Sequence, residues 1–398
     1  MQKVYVQVYT QTFIKTWNRR AGVRMSDNVQ NYVMEYSYTK LEETARTFRR
    51  LGEAYESTSE SENTKPGISR QLFLVADVLE ECLTMHLHSE EIDKALIREL
   101  TRKCFMSGAR IKNVRCLSKS TGKNEILFQA RTVGRSCMAA KKLMPAIESV
   151  MKCVYYPKDT NRMIISADYN QYVFIQEDRF RILSGVARLN KGKERFNGDN
   201  FLITGLGCGK TIAAIADGMG SGKRAFVESR MVIELMENCI DAGFNEKAAI
   251  DLVNSAYIAG GGIGNPVTMD MSVIDCQAGF MHCIKMGAVS TFIKREAMVE
   301  IIKSTTLPIG VLEQVDYDCT TKKLYDNDYI VMVSDGILEN IPCLDKEEKM
   351  AEIINSISIR NPDAMADKIL NESLKYNHMK ATDDCTVLVL GVFDTAGK

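Results

Sequence analysis

Apolar positions change their period several times along this chain. Residues 1–37 alternate loosely and predict one or two strands. Leu41, Ala45, Phe48 and Leu51 then recur at helical spacing behind Thr39-Lys-Leu-Glu42, which fits a capping box. An amphipathic helix is expected there. Residues 56–65 carry no apolar side chain and run into Pro66-Gly67, a linker signature. Between 69 and 177 the pattern is mixed. Helical spacing covers 72–87, 89–106 (with Ser89 as cap) and 137–150. Strand alternation covers 110–117 and 125–130 on either side of Thr121-Gly122-Lys123-Asn124, which predicts a hairpin. Short strands are expected at 151–156, 163–167 and 172–175. The whole reads as a small α/β module.

From about residue 180 strand signals dominate, at 181–189, 200–206 and 211–216. A long helix follows over 223–242, with Gly243 as its stop, and then a second helix with Ile250, Val253 and Tyr257 on one side. After the glycine-rich stretch 260–264 strands resume at 267–274, 280–286, 291–294, 299–302, 315–320 and 329–333. Two helices, 346–357 and 363–376, precede a last strand at 385–392. Strand runs with helix pairs between them predict two stacked sheets with helices outside. The expected domains are a lead-in over 1–68, the α/β module over 69–177 and a third domain over 178–398.

Composition narrows the classes. The chain has 398 residues, 45% hydrophobic and 26% charged, with a formal net charge of zero. That is an ordinary globular balance, and total charge gives no reason to expect nucleic acid as a partner. No window approaches the uninterrupted apolar length of a membrane span, and the N-terminus lacks the apolar core of a secretory signal, so a cytoplasmic chain is expected. Twelve cysteines without a C-x-x-C pair, and only four histidines, argue against a zinc site or a disulfide framework.

The chemistry lies in aspartates at strand ends. Asp217-Gly218 ends one apolar strand and Asp335-Gly336 another. Asp383-Asp384 precedes a third, and Asp199 stands just before the strand expected to pair with 213–216. Any one of these is an ordinary turn aspartate. Together at strand ends, with no histidine among them, they form an oxygen-only donor set suited to Mg²⁺ or Mn²⁺. Two such ions about 4 Å apart can activate a water and clamp a phosphoryl group. The Gly218 carbonyl can face an ion because glycine lets the backbone turn sharply.

Gly198-Asp199-Asn200, Ala216-Asp217-Gly218-Met219-Gly220, Val333-Ser334-Asp335-Gly336 and Thr382-Asp383-Asp384-Cys-Thr386, in that order, resemble the metal-dependent Ser/Thr phosphatases of the 2C type. The bacterial branch named for stage II sporulation protein E is the nearer likeness, and Leu307-Pro308-Ile309-Gly310 and Gly185-Val186-Ala187 are similar too. The resemblance covers about 178–394. It implies an α+β fold, a four-layer α-β-β-α sandwich phosphatase domain preceded by a smaller α/β regulatory module, with two Mn²⁺ or Mg²⁺ ions. It implies that Asp217 bridges both ions with the Gly218 carbonyl on one. Asp199 would serve the second ion, and Asp335 with Asp383 or Asp384 the other. Asp383 is preferred because it takes the place of the Asp in the family's Asp-Asn/Asp pair. Asp199, Asp217 and Asp335 would form the catalytic group. The implied substrate is a phosphorylated anti-sigma-factor antagonist, whose dephosphorylation activates a sporulation sigma factor. A tubulin-like division protein is an implied partner and a homo-oligomer is expected. Full-length relatives are membrane-anchored at the division septum. No counterpart of the family's phosphate-holding arginine is evident; Arg224 is the arginine candidate nearest the metal loop.

Two motifs compete with this reading. Gly205-Leu-Gly-Cys-Gly209-Lys210-Thr211 looks like a nucleotide loop, but a strand rather than a helix is expected after Lys210. Cys104 and Arg110 have the spacing of cysteine phosphatases, but Cys104 falls near a helix C-terminus, where no backbone N–H groups can lower a thiol pKa. A non-catalytic scaffold binding a division or signalling partner is the alternative function.

Overall fold

The computed structural model describes residues 40–53, positions 69, 71–73, 75–77 and 79–80, residues 93–117, and residues 123–395 apart from 135, 159–162, 193, 207–208, 221, 242–243, 259–264, 313–314 and 316. The expectations for 1–37, the Thr39 cap, the linker, the Ser89 cap and the 260–264 loop lie outside the described residues. The chain splits into two compact units, residues 1–58 with 75–178, and residues 59–74 with 179–398.

In the first unit residues 40–53 are helical, with Ala45 buried and Leu41 and Leu51 exposed. Arg49 holds Asp77 and Glu80 at 2.6 and 2.8 Å. Helix Lys94–Met106 starts at Asp93, whose carboxylate accepts from the Ala95 amide. The expected hairpin is present as β1 (Ala109–Leu117) and β2 (Glu125–Thr132). With β4 (Tyr155–Pro157) and β6 (Asn170–Gln176) it forms a sheet in the order β1-β2-β6-β4, while β3 (Met138–Ala139) and β5 (Ile164–Ile165) make a separate ribbon. Helices Lys94–Met106 and Met144–Met151 cover one face, where Leu100, Cys104, Phe128, Ile147 and Phe174 meet. Met151 ends a helix instead of opening a strand. Lys152 adopts a left-handed conformation (φ 59°) that stops the helix, and β4 begins only at Tyr155.

The second unit contains β7 (Phe180–Leu189), β8 (Asp199–Gly205), β9 (Lys210–Gly218), β10 (Val267–Asp275), β11 (Phe280–Met286), β12 (Thr291–Arg295), β13 (Met298–Ile302), β14 (Asp318–Lys323), β15 (Tyr329–Val333) and β16 (Cys385–Asp394). They form two antiparallel sheets, β14-β11-β10-β9-β8 and β13-β12-β15-β16-β7. Both faces of the central strands are buried, which is why they read as continuous apolar runs. On β9, Ile212, Ala214 and Ala216 pack under Val232, Ile233 and Met236 of helix Lys223–Asp241 and Ile250 and Val253 of helix Glu246–Tyr257. The alternate residues Ala213 and Ile215 meet Ile330, Met332, Leu388 and Leu390 of the other sheet. That sheet's outer face, with Val331, Val387 and Val389, carries helices Asp335–Glu339, Lys346–Ser356 and Pro362–Lys375. The result is the four-layer α-β-β-α sandwich.

The strand expected at 315–320 lies at 318–323. Val315 and Tyr317 pack on the core from irregular backbone, and the strand itself is the polar run Asp-Cys-Thr-Thr-Lys-Lys at the sheet edge, where polar and lysine residues are tolerated. A strand follows Lys210, and Gly209 (φ 86°) sits in the tight connection before it, so the nucleotide-loop motif is a hairpin turn.

Candidate active site

One sheet delivers two aspartates and the other three to one end of the sandwich. In the β8–β9 hairpin Asp199 lies directly opposite Asp217, with Gly218 closing the strand. In the other sheet β15 and β16 are antiparallel with Val333 opposite Val387. The residues just beyond, Asp335 at the start of helix Asp335–Glu339 and Asp383-Asp384 before β16, therefore share an end. The backbones are tight here. A Cβ at Gly336 would stand 2.1 Å from the Asp384 carbonyl oxygen, and one at Gly218 would stand 2.4 Å from that of Ala225. Only glycine lets helix Lys223–Asp241 and the Asp383-Asp384 turn come so close.

The two sheets are joined through Asp384. Its Oδ1 accepts from the Lys191 amide at 2.8 Å and its Oδ2 from the Gly198 amide at 2.6 Å. Those amides bracket the β7–β8 connection, so Asp384 fixes the loop that leads into Asp199. Arg188 on β7 donates to the Asp199 carbonyl, and its guanidinium lies over the Phe201 ring, 5.4 Å from the centroid. Asn197 accepts from the Asp199 amide at 3.0 Å. Ser229 of helix Lys223–Asp241 donates to the Gly198 carbonyl at 2.5 Å and accepts from Asn200 at 2.8 Å, which holds this helix against β8.

The carboxylates differ in how they are satisfied. Asp199 is 1% exposed, and neither side-chain oxygen has a hydrogen-bond partner. Burial pushes its carboxyl above the ordinary carboxylate value. The nearby Thr386 and Ser334 hydroxyls, neither of which closes a hydrogen bond on it, pull it part of the way back, and the charges of Asp335 and Asp384 push it up again. Burial also raises Asp217, and like charge on Asp199, Asp335 and Asp383 adds to the effect. Asp335 is raised by burial first, then by Glu339 and Asp383. Asp383 is partly exposed, with Lys191 Nζ at 3.4 Å and the Asp384 amide at 2.8 Å. Among the described residues no three Asp, Glu, His or Cys side chains close into a ready coordination shell. The acidic groups influence one another electrostatically without touching as ligands.

Every acidic position singled out in the sequence thus lies at this rim. Asp384 is clamped by two backbone amides, while Asp383 keeps an oxygen face toward solvent. Arg188, Asn197, Ser229 and Lys191 escaped sequence reasoning, since each acts through a loop or strand whose neighbours are distant in the chain. Arg224 is exposed and tied to Glu228 at 3.0 Å. Cys104, far along the chain from this rim, is fully buried in the first unit, and burial pushes its thiol up to about 12, which removes it as a nucleophile. The donor set fits a hard divalent cation: all oxygen, net negative, and including a buried carboxylate with no other partner.

The sandwich and its acidic rim define a phosphatase domain of the 2C type, a class that is generally metal-dependent. Residues 207–393 match the family model described as stage II sporulation protein E (SpoIIE). The chain is 28% identical over 286 residues to stage II sporulation protein E of Bacillus subtilis (strain 168), covering 72% of this chain and 34% of that protein. It is 31% identical over 207 residues to the protein of the same name from Priestia megaterium, covering 52% and 35%. The chain therefore spans about a third of the length of these curated relatives. The solved PP2C phosphatase domain of SpoIIE from Bacillus subtilis, with a fragment of its regulatory domain, superposes with a TM-score of 0.59 at 25% identity, over 81% of this chain and 95% of that one. Among the described residues no helix is long and apolar enough to cross a membrane.

Proposed function

We propose that residues 178–398 hydrolyse a phosphoserine on a small regulatory protein, with two Mn²⁺ or Mg²⁺ ions held by Asp199, Asp217, Asp335 and Asp383. The observation that carries this reading is the buried Asp199 carboxylate, whose two oxygens have no partner in the protein. An unpaired buried charge is costly, and a cation is the counterpart that would neutralise it. Bound at the rim, the cations would supply a water ionised near neutral pH and positive charge for the phosphoryl oxygens.

The protein's own groups divide the remaining work. Asp217, whose carboxyl feels the charges of Asp199, Asp335 and Asp383, would hold a cation together with the Gly218 carbonyl beside it. Asp384 locks the β7–β8 loop, so Asp383 is the ligand of the tandem pair. Arg188 keeps N–H groups beyond the one on the Asp199 carbonyl, and these can orient a phosphate at the rim. The likeness to stage II sporulation protein E supports a phosphorylated anti-sigma-factor antagonist as the substrate and sporulation sigma-factor activation as the outcome. A tubulin-like division protein as partner, a homo-oligomeric state and regulation by residues 39–177 through the helix expected at 39–51 belong to the same proposal.

The test is hydrolysis of p-nitrophenyl phosphate, then of a phosphoserine-bearing anti-sigma-factor antagonist, in Mn²⁺. Activity should vanish with EDTA and survive thiol alkylation. Turnover that persists in EDTA would end the metal reading. Deleting residues 1–66 should change the rate or the oligomeric state; if both stay as they were, the regulatory role of the N-terminal part is lost.

A further inference from the structure

The first unit carries a charge imbalance that the whole chain conceals. Between Asp93 and Asp178 there are sixteen Lys and Arg against eight Asp and Glu, in a chain whose formal charge is zero. Part of this excess gathers on one sheet face. Helices Lys94–Met106 and Met144–Met151 cover the face bearing Ile111, Ile126, Phe128 and Phe174. The opposite face of β1 and β2 presents Arg110, Lys112 and Arg115, all exposed, and the half-buried Arg131. Arg110 pairs directly with Arg131 across the strands, and Lys112 pairs with Gln129. Like charges placed opposite one another destabilise a hairpin, so the arrangement does not serve the fold. Lys112 Nζ and Arg131 Cζ lie 4.2 and 5.2 Å from the centroid of the exposed Tyr169 ring. Among the described residues none of the four cations forms an ion pair, and the buried Nε of Arg131 donates to nothing.

We propose that this face of β1 is a docking site for an extended, acidic segment of a partner protein. Three observations select such an occupant. First, four cations with no counter-charge and one unused, buried N–H call for carboxylates, which a guanidinium binds in a fixed fork. Second, Arg110 and Lys112 are two residues apart on a strand, about 6.6 Å, which is also the repeat of same-side residues in an extended peptide. Third, β1 is the outermost strand of its sheet and pairs only with β2 among the described residues, so its other edge can accept a strand. The bulge between Lys112 and Arg115, with Asn113 at φ 53°, limits that pairing to the Ala109–Lys112 half of β1. Tyr169 supplies a flat aromatic floor beside the charges.

The experiment titrates the full chain with an alternating glutamate–threonine peptide of about eight residues and with its glutamine–threonine counterpart. Binding of the glutamate peptide alone is expected, and it should weaken with added salt. Arg131→Gln and Lys112→Gln should each weaken it about two- to fivefold, the range of a partly exposed ion pair. Reversing Arg110, Lys112 and Arg131 together to Glu should transfer preference to a lysine–threonine peptide, a gain that loss of folding cannot imitate. Equal binding of the glutamate and glutamine peptides would overturn the proposal. So would binding of phosphatidylserine vesicles or single-stranded DNA, lost in the same variants, without binding of the glutamate peptide.

Discussion

Two buried aspartates in the same sandwich have opposite surroundings. Asp270 on β10 is 2% exposed and lies between the sheets. Lys285 Nζ stands 2.7 Å from it and Thr291 donates to it at 2.5 Å, while Lys285 also donates to the Val289 carbonyl at 2.6 Å. Its charge is neutralised within the protein. Asp199 is just as buried, but no ion pair and no hydrogen bond closes on its carboxylate. Folding alone would not retain a charge in that state, whereas a site meant to receive charge from outside must leave one open. The contrast separates a neutralised carboxylate from an unpaired one more sharply than burial or sequence context does.

The largest expected effect sharpens this contrast at the rim. Asp217→Ala should lower Mn²⁺-dependent turnover about a hundredfold or more, the scale on which metal-site partners act, with an unchanged circular dichroism spectrum. Near-normal turnover would remove Asp217 from the site. The second effect lies in the interior. Asp270→Ala leaves the Lys285 ammonium buried without its carboxylate and should cost about 3–5 kcal/mol in urea unfolding. The paired change Asp270→Leu with Lys285→Met should recover most of that loss; if it recovers none, Asp270 is more than one half of an ion pair.

Smaller effects follow from the open charge at Asp199. Mn²⁺ at a hundred times its dissociation constant should stabilise the folded protein by about 2.7 kcal/mol per site, read as a rise in melting temperature that EDTA reverses. Asp270→Ala should leave this rise in place, and Asp199→Asn should reduce it. The pH dependence has a definite sign. Asp199 and Asp217 hold protons in the metal-free folded state more tightly than in the unfolded chain, because burial raises both. Over the pH range between the two values the folded state binds more protons, so their contribution is fully present below about pH 4. It is lost as pH rises through the raised folded values. Metal-free protein should lose stability across that window in urea titrations, and Mn²⁺ should flatten the loss. A metal-free profile no steeper than that of Asp199→Asn would contradict the open-charge account.

The legible part of the site was the recurrence of aspartate at strand ends, because a short apolar run followed by Asp-Gly is a local pattern. The β8–β9 pairing of Asp199 with Asp217 could be anticipated, since a hairpin joins neighbours in the chain. The role of Asp384 was not legible. Two adjacent aspartates look alike until the amides of Lys191 and Gly198, almost two hundred residues away, are found on one of them. Arg188 was missed because nothing local marks a strand arginine whose partner is a backbone carbonyl across the sandwich. The misplaced strand at 315–320 failed for a related reason: apolar residues there pack from irregular backbone, while the edge strand is polar.

The amino-acid sequence alone determined the strands and helices of the sandwich, the oxygen-only character of its acidic set and its likeness to a phosphatase family. These follow from periodicity and short motifs, which depend on neighbours along the chain. Only the tertiary structure decided which carboxylates are neutralised and which stay open, and which basic side chains gather without counter-charges. Solvation and charge pairing depend on which groups meet through space, and those meetings join positions that no local pattern connects.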